Sequence, residues 1–134
     1  MPRVETWPED LHAVVRRHRA LPFVWGETDC ACLFRDAVVA MTGADPLAGL
    51  RPWYSALTAA RALKHLGYAT ALDLMRDRFE EIAPAAAGRG DCGFLEERDA
   101  LSAPAIILGA EAVSRNEHGF VIVPVSLITI AFRI

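Results

Sequence analysis

The feature of this sequence with the clearest chemical potential is a cysteine that directly follows an aspartate, Asp29-Cys30. Apolar residues recur after it at helical spacing, which predicts that Cys30 lies in the first turn of a helix capped by Thr28 or Asp29. The free amides and the dipole at that end of a helix stabilise an anion and lower a thiol pKa. Cys30 is therefore either an activated nucleophile or a small apolar residue on the buried face of its helix.

The other two cysteines, Cys32 and Cys92, do not complete a metal or redox motif. One residue separates Cys30 from Cys32, whereas zinc knuckles and redox pairs typically have two. The odd number of cysteines argues against a disulfide framework, and an N-terminus without an apolar segment argues against a signal peptide. We expect no cofactor and no metal site. We also expect no bond between Cys30 and Cys32, whose side chains diverge on a helix.

Four histidines are candidates for the general base that a nucleophilic thiol needs. His12 and His18 belong to a predicted first helix, with His18 on its apolar face, and both precede the thiol. His65 ends a predicted third helix, where a cation suits the helix dipole. His118 lies in a turn between two predicted strands. It is the candidate for a displaced base, although loop side chains are mostly solvated.

Composition and charge restrict the classes of function. The chain has 134 residues, of which 53% are hydrophobic and 23% charged, and this balance predicts one packed domain over residues 1–134. The net charge of −3 disfavours a general nucleic-acid binder. No apolar run is long enough to span a membrane. We therefore expect a protein made in the cytoplasm, without nucleic acid or a membrane among its partners.

The predicted secondary structure that positions these residues changes near Gly90, from helices before it to strands after it. Helical periodicity and end signals predict four helices in the first half, at residues 6–19, 30–41, 55–66 and 71–79. In the first helix, Thr6 and Glu9 have the spacing of a capping box. Glu80 and Glu81, which follow the fourth helix, are interpreted as part of an exposed helix face.

After Gly90, short β-branched or aromatic segments predict strands at residues 92–95, 105–108, 112–114, 120–123 and 127–132. Gly109 and residues 116–119 predict hairpin turns between them. Helices followed by neighbouring strands indicate an α+β fold. We expect a helical N-terminal half packed on a C-terminal antiparallel sheet or small barrel, with the Cys30 helix against that sheet.

The segment around the thiol resembles a known motif. Residues 23–33 read Phe-Val-Trp-Gly-Glu-Thr-Asp-Cys-Ala-Cys-Leu and resemble the nucleophile motif of the NlpC-type cell-wall cysteine peptidases, which are papain-like enzymes. The resemblance implies that Cys30 is the nucleophile. It also implies that Trp25, Gly26 and Asp29 support the groove around it.

Later segments extend the resemblance to the C-terminus. Residues 90–94, which include Asp91, are similar to the Gly-Asp step that opens the central sheet of these peptidases. The closing segments at 120–124 and 130–134 resemble compact relatives encoded in phage, prophage and gene-transfer-agent tail modules. The resemblance implies a papain-like fold and a place among tail proteins.

The sequence departs from the family at its general base. The family's histidine opens the strand after the Gly-Asp step, and that position falls here on Ala103 or Pro104. Neither side chain can take a proton from a thiol. The missing base favours a structural or assembly role in a tail, bound to other tip or hub proteins, with the virion as its final site. The alternative is an active peptidoglycan endopeptidase with Cys30 as nucleophile, acting during DNA entry.

Overall fold

The structure, a computed structural model, describes residues 2–50, 52–95 and 103–134. Within these ranges four α-helices precede the main run of strands. They are α1 (Trp7–Arg19), α2 (Cys30–Thr42), α3 (Ala56–His65) and α4 (Ala71–Arg78). The strands are β1 (Glu80–Ile82), β2 (Cys92–Phe94), β3 (Ala105–Ile107), β4 (Glu111–Asn116), β5 (Gly119–Pro124) and β6 (Ile130–Arg133).

The six described strands form one antiparallel sheet in the order β1-β6-β2-β3-β4-β5. The predicted α+β class with an antiparallel sheet is therefore confirmed. The two predicted hairpin turns are also present: Asn116 pairs with Gly119 across the β4–β5 turn, and Gly109 has a φ of +141° between β3 and β4. β1 and β5 lie at the two edges of the sheet.

Side chains cap three of the four described helices, and the cap by Asp29 confirms one of the two candidates predicted at α2. Asp29, Ser55 and Thr70 each accept a hydrogen bond from a backbone amide in the first turn of the helix that follows. At α1 the predicted capping box is wrong. Thr6 has a ψ of +14° rather than an extended backbone, and its hydroxyl donates to Asp10 at 2.7 Å instead of accepting from the helix.

Two predictions about the second half are wrong, because pairing between distant segments overrides local pattern. Glu80 and Glu81 belong to strand β1, which pairs with β6, and not to a helix face. A strand was predicted at 127–132. The structure instead has a 3-10 helix, Val125–Leu127, that ends where the predicted strand begins, and β6 starts only at Ile130. Ile128 lies between them and packs against Gly93 on the sheet, so the chain bends to bury that side chain.

The central strands of the sheet are buried on both faces. The helices cover one face with a large apolar core, to which Leu33, Phe94 and Phe132 belong. A smaller apolar cluster lies on the other face. As expected, α2 packs against the sheet and contacts β3 and β4, which brings the start of α2 close to the central strands. Of the helices in the described ranges, none has the length and apolar character to span a bilayer.

Candidate functional site

Gly26 and Asp29 shape the loop that leads into α2. Gly26 has a φ of +78°, and a Cβ atom there would lie 1.9 Å from the carbonyl oxygen of Trp53, so the close approach requires glycine. The buried Asp29 carboxylate accepts hydrogen bonds from the Gly26 amide at 2.8 Å, the Cys32 amide at 2.8 Å and Trp53 Nε1 at 2.7 Å. Asp29 therefore anchors the loop and the helix start.

Cys30 is the first residue of α2, which confirms its predicted position, and its side chain is half-buried. Burial, with a smaller contribution from the neighbouring Asp29 charge, raises the pKa of the Cys30 thiol from an ordinary value of 9.0 to about 12. The backbone amides of Ala31 and Cys30 lower this pKa, but by less. The expected lowering by the helix end is therefore wrong, because desolvation outweighs the helix-end field.

Two cavities meet at Cys30. The first has a volume of about 90 Å³ and walls that are almost entirely apolar; Trp25, Phe34, Trp53 and Phe94 contribute to them. The second is a more open cleft of about 320 Å³ on the other side of the thiol. Cys30 and Trp25 line both, so Trp25 does form part of a groove wall. Its ring packs edge-to-face on Phe23, with 5.1 Å between ring centres.

Pro104 lines the apolar cavity together with Cys30. It is buried directly before β3, and its carbonyl oxygen accepts a hydrogen bond from the Ser114 hydroxyl at 2.8 Å. Ala103, the other position at which a base was expected, is exposed. The cavity that Cys30 lines is therefore also lined by a pyrrolidine ring, which can neither accept nor donate a proton.

His118 lines the open cleft together with Cys30. It is exposed in the turn between β4 and β5, and its backbone amide donates to Asn116 Oδ1 at 2.8 Å. The structure thus brings the thiol and the candidate displaced base to one cleft. Of the other histidines, His12 and His65 line neither cavity. The same holds for His18, which is buried and bonded through Nε2 to Asp36 at 2.8 Å.

Asp91 lies outside both cavities. Its buried carboxylate accepts hydrogen bonds from Arg3 Nη2 at 2.9 Å, the Gly88 amide at 2.9 Å and the Ile134 amide at 3.0 Å. These contacts tie the segment before α1, the loop before β2 and the C-terminal residue to one another. Asp91 therefore has a structural place in the fold and does not belong to the site around Cys30.

Arg115 is the site residue that the sequence reasoning missed. It is only 2% exposed, lies in β4 and lines the cleft beside Cys30. Its guanidinium donates to the carbonyl oxygens of His18 and Leu21, at the end of α1. Burial lowers the pKa of Arg115, and the Asp29 charge opposes this. Because its partners are backbone carbonyls, no pattern of residue types marks this contact in advance.

The described residues contain no group of three or more histidine, cysteine, aspartate or glutamate side chains that could hold a metal ion. Cys30, Cys32 and Cys92 are free thiols, and the last two are buried. The chemistry available in the cleft is therefore that of one thiol, one imidazole, the Arg115 guanidinium and the polar groups of the β4–β5 turn.

The sequence profile of one family, described as "Domain of unknown function (DUF6950)", matches residues 2–134. This chain belongs to the DUF6950 family. No curated protein and no solved structure matches it.

Proposed function

We propose that this DUF6950 chain is a structural component of a phage or gene-transfer-agent tail, near the tip or hub, built on a papain-like fold that no longer carries out hydrolysis. The loss of hydrolysis rests on one observation, that Cys30 and Pro104 both line the apolar cavity. A cysteine peptidase needs an imidazole within hydrogen-bond distance of its sulfur. Pro104 offers no such group.

The protonation of the thiol supports the same proposal. With a pKa of about 12, Cys30 is a thiolate in only about one molecule in a hundred thousand at pH 7. A general base typically contributes on the order of 10²–10⁴ in rate. Asp29 also lines the apolar cavity, but its carboxylate already accepts three N–H hydrogen bonds and is not free to take over that task.

The tail assignment rests on the resemblance of the closing segments at 120–124 and 130–134 to compact tail-module relatives. In that setting the partners are other tip or hub proteins, and the virion is the final site. The papain-like comparison also agrees with the order of elements, in which the Cys30 helix packs against an antiparallel sheet.

A second candidate function is an active peptidoglycan endopeptidase that acts during DNA entry. The observation that favours it is the shared cleft, in which Cys30 and His118 are both wall residues and the volume of about 320 Å³ suits a peptide segment. In this alternative His118 is a displaced general base. Binding of the substrate would have to bring its imidazole to the sulfur and offset the raised thiol pKa.

Digestion of purified sacculi separates the two candidates. We expect the wild-type protein to release no more stem peptide than Cys30→Ala does. Turnover that both Cys30→Ala and His118→Ala abolish would establish the peptidase instead. Pro104→His puts an imidazole at the wall beside Cys30. Turnover gained by Pro104→His and lost again in the double variant with Cys30→Ala would support descent from a peptidase.

Complementation tests the structural role directly. In the phage or transfer agent that encodes the chain, we expect deletion of the gene to give particles with incomplete tails. Cys30→Ala should restore complete and infectious or transferring particles. Normal assembly of tails without the chain would contradict the structural role. Assembled but inactive particles with Cys30→Ala would favour the peptidase.

A further inference from the structure

The two edges of the sheet differ in length and in charge. β1 has three residues, and its exposed Glu80 and Glu81 form ion pairs with Arg133 at 3.6 Å and Arg76 at 2.8 Å. β5 has six residues, none of them charged, and its Ile122 side chain is 48% exposed. Short length and charged side chains are ways in which proteins protect a sheet edge from other strands. β1 has both protections, and β5 has neither.

The register between β4 and β5 shows which backbone groups of β5 are open. Just beyond the strand, the Val125 amide donates to the Ala110 carbonyl at 2.9 Å. Hydrogen-bonded positions alternate in an antiparallel pair, so Phe120 and Ile122 direct their N–H and C=O groups away from β4. Pro124, two residues after Ile122, also faces away from β4. It has no N–H group, and an outward position on an edge strand is usual for proline. β5 therefore presents a ladder of donors and acceptors outward.

The end of α1 supplies positive charge beside this edge. The Arg19 guanidinium carbon lies 5.2 Å from the centre of the Phe120 ring, so the last turn of α1 lies over β5. Arg16 is three residues earlier and on the same side of the helix. Both are exposed, and neither forms an ion pair with a carboxylate in the described part of the chain. Arg17, between them, is paired with Asp36.

We propose that β5 is a docking edge to which a partner protein adds an extended strand that carries carboxylate side chains. The outward N–H and C=O groups of Phe120 and Ile122 pair with the backbone of that strand, as in other cases of strand addition. Its carboxylates, on the helix side of the sheet, meet Arg19 and Arg16. This inference goes beyond the proposed function, because it requires neither a tail nor a peptidase ancestor.

A second copy of this chain fits the edge less well. Antiparallel pairing of Phe120 with Ile122 of a second copy makes one continuous sheet around a two-fold axis at Val121. That axis leaves both helix layers on the same side of the sheet. The two Arg19 guanidinium groups then approach each other without a counter-charge, and like charges across a sheet destabilise the pairing. An acidic strand meets the same arginines with favourable charge.

The test uses the full chain and three synthetic eight-residue peptides in which valine alternates with glutamate, glutamine or lysine. Binding is followed through the amide NMR resonances of the protein. We expect the glutamate peptide to shift the resonances of Phe120 and Ile122. The glutamine peptide should bind about fivefold more weakly, which corresponds to about 1 kcal/mol. The lysine peptide should give no measurable shift.

Substitutions assign any binding to the edge and to its charge. Ile122→Pro removes an outward donor and leaves the β4 ladder intact, so it should abolish binding of the glutamate peptide. Arg19→Glu should reverse the order of the glutamate and lysine peptides. Arg61→Glu is the matched control, because it makes the same charge change at an exposed position on α3. It should leave the order unchanged.

Three results would overturn the proposal. The first is that no peptide shifts the β5 amide resonances, and the second is that the order of the peptide affinities does not depend on Arg19. The third is that the chain dimerises by itself in a concentration-dependent manner that Ile122→Pro abolishes, which would assign the edge to a second copy. None of these results bears on the sacculus or complementation experiments, so failure here is distinguishable from failure of the proposed function.

Discussion

The chain contains the same dipeptide twice, and the two copies have much in common. Asp29-Cys30 begins α2, and Asp91-Cys92 begins β2. Both aspartates are buried, and each accepts three hydrogen bonds. Burial is the main cause that raises the pKa of both thiols. Judged by local chemistry, both dipeptides are anchors that hold the start of an element to the rest of the fold.

The two dipeptides differ in the charge of the groups that bind the aspartate and in the open space beside the cysteine. All three donors to Asp29 are uncharged N–H groups, whereas one donor to Asp91 is the Arg3 guanidinium, whose side chain is 20% exposed. Cys30 borders two cavities, and Cys92 is fully buried and borders neither. An Asp-Cys step at the start of an element is therefore not in itself a mark of catalysis. What distinguishes Cys30 is the space beside it.

The largest expected effect is a loss of stability on replacing either aspartate. Asp29→Ala leaves three buried N–H groups without an acceptor, at about 1–3 kcal/mol for each unsatisfied group, so we expect a loss of about 3–5 kcal/mol. Asp91→Ala leaves two backbone amides without an acceptor, while Arg3 keeps its hydrogen bonds to the carbonyl oxygens of Ile134 and Arg89, so we expect a loss of about 2–3 kcal/mol. Urea unfolding measures the loss in free energy of unfolding for both variants, provided that the m-value stays the same as in the wild type.

Trp53→Phe is the matched control for the Asp29 site, because it removes one donor and leaves the carboxylate with the other two. It should cost less than Asp29→Ala. A larger loss for Asp91→Ala than for Asp29→Ala would contradict the comparison. It would mean that holding the two ends of the chain together matters more than the α2 cap.

The next largest effect concerns the rate at which Cys30 is alkylated. Raising the pKa from 9.0 to about 12 lowers the thiolate fraction at pH 8 about a thousandfold. A more basic thiolate is about 15–30-fold more nucleophilic, so Cys30 should react with iodoacetamide about thirty- to sixtyfold more slowly than free cysteine. Because its pKa is raised, the rate should keep rising about tenfold per pH unit above pH 9, where an ordinary thiol levels off.

Peptide-resolved mass spectrometry distinguishes the thiols in that experiment. Cys92 should react only when the protein unfolds, so its rate should rise with urea while the rate of Cys30 is already measurable in buffer. A Cys30 that reacts faster than free cysteine would show that the helix-end field outweighs burial. That outcome would favour the active peptidase.

Local signals were enough to predict the helix that carries Cys30. The capping Asp29 and the terminating Gly43 lie next to it in sequence, and α2 ends one residue beyond the prediction. β1 was missed because its strand character comes from pairing with β6, about fifty residues away in sequence. Sequence patterns therefore predicted the elements that their own residues define, and failed where a distant partner decides.

The same distinction holds within the site. The position of Cys30 was predicted correctly, but the direction of its pKa shift was not, because burial depends on Pro104 and the helices that close the cavity. His118 was predicted in a turn, and only the folding of the β4–β5 hairpin brings that turn to the cleft. Arg115 was missed because it binds carbonyls at the end of α1.

A smaller effect is expected from replacing each thiol by a hydroxyl. Cys92→Ser places a hydroxyl in a fully buried apolar site, where the amide of Ala105 is a hydrogen-bond partner, and we expect a loss of about 1–2 kcal/mol. Cys30→Ser borders an open cleft, so its loss should stay below about 1 kcal/mol. The urea midpoints of the two variants test this order. Equal losses would mean that the cleft does not give the Cys30 side chain access to water.

The smallest effect tests whether the charge of Arg3 distinguishes the Asp91 anchor from the Asp29 anchor. Arg3→Met removes the 2.9 Å ion pair and the hydrogen bonds that Arg3 donates to the carbonyl oxygens of Ile134 and Arg89, but it keeps an apolar side chain over the Trp7 ring. Because Arg3 is partly exposed and Asp91 keeps two backbone donors, we expect a loss of about 1 kcal/mol. Salt screens a partly exposed pair, so the difference in free energy of unfolding from wild type should shrink between low and high ionic strength.

Arg17→Met is the control, because its ion pair with Asp36 is far more exposed and should contribute almost nothing. A loss for Arg3→Met as large as that for Asp91→Ala would mean that the carboxylate acts through the arginine alone. The two Asp-Cys anchors would then be held by different forces.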